Sequence, residues 1–186
     1  WRPNETNVND ARNFSRAAVR RLPAEAAFDS LVFATASADT QRQMLENVDT
    51  VRGRMIGYPT LDRNAIGGYA LKLFGKPARE QVCDCERSSE PSLLQTIYLR
   101  NDAETLSLLE RKDGWLKEVA ARGPAWQQGH QEDLGREAWP RTFGRPPRDE
   151  ELALGLEQLD TAADVPTGLK DLLWALLNSN EFILNH

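Results

Sequence analysis

The stretch Leu169-Lys170-Asp171-Leu172-Leu173-Trp174-Ala175-Leu176-Leu177 decides the fold. Its leucines recur at i, i+3, i+4, i+7 and i+8, which on a helix of 3.6 residues per turn makes one continuous apolar face. Pro166 stands just ahead, where a first helical turn tolerates a missing N–H, and Phe182 follows the stripe. The uninterrupted apolar run, Leu172 to Leu177, is far shorter than the ~20 residues needed to cross a bilayer, so the stripe predicts a helix packed on a core and no membrane span.

Working outward, the same spacing returns. Leu152, Leu156 and Leu159 predict a helix over Asp149 to Leu159, set off by Gly144-Arg145-Pro146-Pro147. Before it, Leu134, Ala138 and Phe143 point inward on another helix. Pro140 interrupts that one, and an interior proline costs about 3 kcal/mol unless the helix kinks, so a bend is expected near Ala138. Arg122 to His130, rich in Gly, Gln and Pro, reads as a loop. Asn101-Asp102 is expected to cap a helix carrying Leu106, Leu109, Trp115, Leu116 and Val119. Two more stripes lie at Leu93, Leu94, Ile97, Tyr98 and at Ile66, Tyr69, Ala70, Leu73, Phe74, the latter ended by Gly75 and Pro77. Toward the start, Pro23 opens a helix carrying Phe28, Leu31 and Val32 and ending near Ala36. Asp39 to Arg63 reads as an extended surface loop in which Met44, Leu45 and Val48 could make a short helix, and the polar residues 1–20 read as an arm or linker end. β-Branched residues are sparse and no useful alternation occurs. The expectation is all-α: one domain over residues 1–186, an irregular multi-helix bundle with long connecting loops.

Composition agrees with that expectation. A chain of 186 residues can bury about 70% of its unfolded surface, and 40% hydrophobic with 27% charged residues is far from the signature of disorder. With 23 basic residues scattered among 28 acidic ones and a formal net charge of −5, no sustained positive field exists for a phosphate backbone, which argues against nucleic acid as a partner. The first residue is Trp1 rather than Met, so the lack of a leader says nothing about compartment.

Cys83-Asp84-Cys85-Glu86-Arg87-Ser88-Ser89-Glu90-Pro91, followed by Leu93-Leu94-Gln95 and Asn101, resembles a secreted planctomycete family, the domain of unknown function 1553, typically found with cytochrome-c-like modules. Three further stretches carry the resemblance: Arg20-Arg21-Leu22-Pro23-Ala24-Glu25; Phe143-Gly144-Arg145-Pro146-Pro147 with Glu150-Glu151; and Asp171 through Phe182, ending in Asn185-His186. It implies a C-terminal domain of a larger protein, a periplasmic or secreted cell-envelope setting, and upstream partners: a haem-bearing cytochrome-c-like module and a second domain of unknown function. Haem is therefore expected only upstream, with no cofactor within this chain. The family supplies no activity. Pro140 and the segment Trp126 to His130 depart from its pattern.

The Cys-x-Cys pair is the sharpest chemical feature. On an extended backbone the two Cα atoms lie roughly 6–7 Å apart, at the upper edge of disulfide geometry. An oxidising compartment, as the resemblance implies, favours a bridge between Cys83 and Cys85; two buried thiols and a reversible redox dithiol serving a haem module remain open. A zinc site is disfavoured because the only histidines, His130 and His186, are not at finger spacing from the cysteines, so no metal is assigned. No Cys-x-x-Cys-His occurs for haem attachment. Asp84, Glu86, Arg87 and Glu90 form the candidate binding loop beside a helix start, against the plainer reading of a salt bridge that fixes the loop. Catalytic residues stay unknown. Among five tryptophans, Trp174 is read as core or its rim and Trp126 as the better candidate for exposure. The leading expectation is a non-catalytic helical docking module that contacts other domains of its parent chain and leaves an apolar patch exposed when it stands alone. The alternatives are an envelope enzyme or polysaccharide-binding domain with its site on the Cys83 to Glu90 loop, or the redox dithiol.

Overall fold

The computed structural model describes residues 4–10, 15, 20–46 and 103–185. Elements are numbered over those residues: β1 (Arg20–Arg21), α1 (Ala24–Thr35), α2 (Ala38–Glu46), α3 (Ala103–Leu109), α4 (Trp115–Ala121), α5 (Pro124–Gly129), α6 (Gln131–Phe143), α7 (Asp149–Thr161), α8 (Val165–Leu177), α9 (Asn180–Ile183) and β2 (Leu184–Asn185). The architecture is helical, as expected. Its only sheet among the described residues is a two-residue antiparallel ladder in which Arg20 faces Asn185 and Arg21 faces Leu184.

The leucine-rich stripe is the centre of the molecule. Leu169, Leu172, Leu173 and Leu177 of α8 are buried and Leu176 is half-buried against the same core. Leu152 and Leu159 of α7 and Leu134, Ala138 and Trp139 of α6 face the same core, while α1 closes another side with Phe28, Leu31 and Ala34. Each such side chain contributes about 1.5–3 kcal/mol when fully removed from water. Local signals place the helix ends. Asp164 caps α8 by accepting from the Thr167 N–H at 2.8 Å, the Ser179 hydroxyl accepts from the Phe182 N–H at 3.3 Å to start α9, and Gly144 at φ 69° ends α6 in the left-handed region that a Cβ disfavours.

α6 is helical through Pro140, which has no N–H to give the Arg136 carbonyl, and the Gly144 N–H bonds to the Pro140 carbonyl. Three local expectations are corrected. Residues Pro124–Gly129, read as loop, form α5, with Pro124 at the start of the helix and the buried Gln127 Nε2 donating to the Val119 carbonyl at 3.0 Å. Residues 38–46, read mainly as loop, form α2. The single helix expected from Leu106 to Val119 is two, because the turn at Asp113-Gly114 leaves the helix to pair with the end of α1: Ser37 N–H bonds to Asp113 O at 3.0 Å, and Gly114 bridges Ala36. The stripes over residues 66–74 and 93–98 lie outside the described residues.

A buried cation joins these layers. Arg141 of α6 sends Nη1 to the Ala36 carbonyl at 2.7 Å, its Nε bonds Glu137 at 2.8 Å, and its guanidinium lies 4.3 Å from the centre of the Trp115 ring. The planar guanidinium thus ties α6 to the end of α1 and to α4 at once.

Candidate functional site

Every residue of the sequence-predicted site falls outside the described residues: Cys83, Asp84, Cys85, Glu86, Arg87 and Glu90. Trp126 is described, and its reading changes. It belongs to α5, is half-buried against the core, stacks on the His130 ring with centroids 4.2 Å apart and planes 17° apart, and carries the Arg122 guanidinium 5.3 Å from its own centroid. The His130 Nδ1 lies 2.8 Å from the Trp126 carbonyl oxygen. Partners within the chain thus occupy the indole, which is no bare stacking platform. Among the described residues no group of three or more His, Cys, Asp and Glu side chains could hold a metal ion, and no helix is long and apolar enough to cross a membrane.

The structure points to a different place. α7 and α8 run side by side on α6 and leave an open groove of about 610 Å³. Trp139 and Phe143 of α6 make its floor, Leu154 and Gly155 one wall, and Trp174 the other. Leu154 is 67% exposed and Trp174 36%, so two large apolar side chains stand in water over an apolar floor. Their exposure follows from helical phase. Leu154 sits two residues from Leu152 and so falls off the stripe of Leu152, Leu156 and Leu159; Trp174 likewise falls beside, not on, the buried face of Leu169, Leu172, Leu173 and Leu177. Gly155 permits the floor, because a Cβ there would lie 2.9 Å from the Trp139 ring.

Two carboxylates that line the groove, Glu151 and Glu181, are joined by Arg145. Its five N–H groups make five bonds: Nη1 and Nη2 to the two oxygens of Glu151, both at 2.8 Å; Nε and Nη2 to the two oxygens of Glu181, at 2.5 and 2.8 Å; and Nη1 also to the Pro146 carbonyl at 3.0 Å. Glu151 further accepts from the Arg148 N–H at 2.7 Å, which ties the clamp to the first turn of α7. The Arg145 bonds hold the Glu151 carboxyl down to about 2, and the paired carboxylates raise the pKa of Arg145. A general acid needs the opposite shift, so Glu151 is a strut of this groove and not a proton donor at neutral pH.

Phe143, Arg145 and Glu151 lie in one stretch of the sequence, and Trp174 and Glu181 in another. The fold joins them across 36 residues of sequence through the Arg145–Glu181 pair. Leu154 was missed in sequence; the available signal was a large apolar side chain out of phase with a clear stripe.

A family model described as PSD1, protein of unknown function (DUF1553), covers residues 2–159. No curated protein and no solved structure matches the chain.

Proposed function

The chain belongs to the PSD1 family of proteins of unknown function (DUF1553), and from that premise we propose that it is a non-catalytic helical docking module of a larger secreted cell-envelope protein, with the α7–α8 groove as its contact surface. The observation that carries the proposal is the exposure of Leu154 and Trp174 over the apolar floor of Trp139 and Phe143. Leaving such side chains in water forgoes hydrophobic stabilisation that a partner would recover, about 25 cal/mol for each Å² covered. The polar groups at one part of the groove support binding over chemistry: Arg145 has spent all its donors on Glu151, Glu181 and Pro146, which holds these two carboxylates as struts.

Under the same proposal the parent is a planctomycete protein of the periplasm or cell envelope, haem is confined to an upstream cytochrome-c-like module, and the occupant of the groove is contributed by another domain of that parent or by a protein bound to it.

A photo-crosslinking amino acid at position 154 of the parent protein tests this. The expected result is a crosslinked peptide from another domain or polypeptide, lost when Trp174 is replaced by Glu. Efficient photolysis that yields only solvent-quenched product would overturn the docking reading.

A further inference from the structure

The charge around the groove is as uneven as its polarity. Residues 149–186 contain eight acidic side chains and one basic, Lys170, a net −7 in a chain whose total is −5. Lys170 is already paired with Glu110, and Arg145 is shared between two carboxylates. On the two groove helices, Glu150, Glu157 and Asp160 of α7 and Asp171 of α8 have no ion pair among the described residues. Glu150 lies four residues before Leu154 and Glu157 three after it, so each is one helical turn away on the same side. Asp171 stands in the same relation to Trp174, three residues earlier, and itself lines the groove. Each exposed apolar anchor is thus flanked by carboxylates at helical spacing.

Resting on the docking reading above, we infer that the occupant is a basic amphipathic helix: apolar side chains at i, i+3 or i+4, and i+7 that seat against Leu154, Trp174 and Phe143, flanked by Lys or Arg that face Glu150, Glu157 and Asp171. A cleft between two adjacent helices is a setting in which a third helix lays down its apolar face. The charge chooses among occupants. A second copy of this chain would set one strongly acidic face against another, and an anionic lipid surface or acidic polysaccharide would meet the same repulsion. A basic partner gains both steering and pairing, and the exposed carboxylates are free to reach it.

The test uses the 186-residue chain and three labelled helical peptides with identical apolar anchors whose flanking positions are Lys/Arg, Gln or Glu. Fluorescence anisotropy follows binding at low and high salt. Three surface pairs of ordinary strength should make the basic peptide bind about tenfold more tightly than the Gln peptide, and salt screening should remove the advantage. The triple variant E150Q/E157Q/D171N should abolish it as well; these side chains are exposed or line an open rim, and circular dichroism verifies that the variant is folded. Equal binding of all three peptides would overturn the charge inference while leaving groove docking intact. Binding by none would overturn the inference of a helical occupant, and the position-154 crosslink then decides the docking reading separately.

Discussion

Replacing Gly168 by Ala tests how closely α7 and α8, the walls of the groove, must approach. A Cβ at position 168 would meet the Ala162 Cβ at 2.9 Å, the Leu159 Cα at 3.0 Å and the Gln158 carbonyl oxygen at 3.1 Å. Two of these three atoms are backbone, so no side-chain rotation relieves the contact; the helices must part by several tenths of an ångström along an interface that includes the buried Leu159, Leu169 and Leu172. Overpacking of this kind costs roughly 1–3 kcal/mol. Alanine recovers up to about 1 kcal/mol through helix propensity. The net expectation is a loss of about 1–2 kcal/mol, or about 2–8 °C in Tm for a chain of this size. Gly135 in α6 is the internal control: its Cβ would meet the tip of Leu156 at 3.3 Å, a flexible side-chain end, so Gly135→Ala should be neutral or gain up to about 1 kcal/mol. Urea unfolding followed by circular dichroism reads both. If Gly168→Ala were as stable as the parent chain, or lost no more than Gly135→Ala, the close approach of the two helices would be refuted.

Other consequences follow from the same geometry. Arg145 holds the Glu151 carboxyl down to about 2 against an ordinary value near 4.5, so the stability it contributes is complete above about pH 4.5 and is lost as pH falls toward 2; Glu151→Gln should flatten that acid limb in a series of denaturation curves. Arg141→Met removes the donor to the buried Ala36 carbonyl and should cost about 1–3 kcal/mol in urea unfolding, and Arg141→Lys should fail to restore it because an ammonium cannot lie flat on Trp115 while bonding both Glu137 and Ala36. Asp164→Ala should lower the thermal midpoint by about 2–4 °C through loss of the α8 cap, whereas Asp164→Asn, which keeps an acceptor for the Thr167 N–H, should leave it nearly unchanged.

The buried faces of α6, α7 and α8 were legible in sequence, whereas α2 and α5 were not. Leu169, Leu172, Leu173 and Leu177 could be read because burial selects apolar residues at a fixed period, and the same holds for Leu134, Leu152 and Leu159. The misread segments are those where a tertiary contact outweighs local preference. α5 forms from a Gly- and Gln-rich stretch because Gln127 is drawn in to cap Val119, and the helix expected to continue to Val119 stops because Gly114 must reach Ala36.

The groove escaped the sequence reading for a reason of averaging. A net charge of −5 spread over 186 residues looks unremarkable as a mean and argues only against a polyanionic partner. The mean conceals that residues 1–148 are slightly basic while the remainder, which builds α7, α8 and α9, carries −7. Only the fold shows that these carboxylates share a surface with the two apolar side chains that missed their stripes. Exposed leucine or tryptophan alone is common on soluble proteins, and acidic helices alone are usually solvated faces. Their coincidence on one pair of helices, with Arg145 already consumed in bracing Glu151 and Glu181, is the ground on which we propose a partner chosen by both shape and charge.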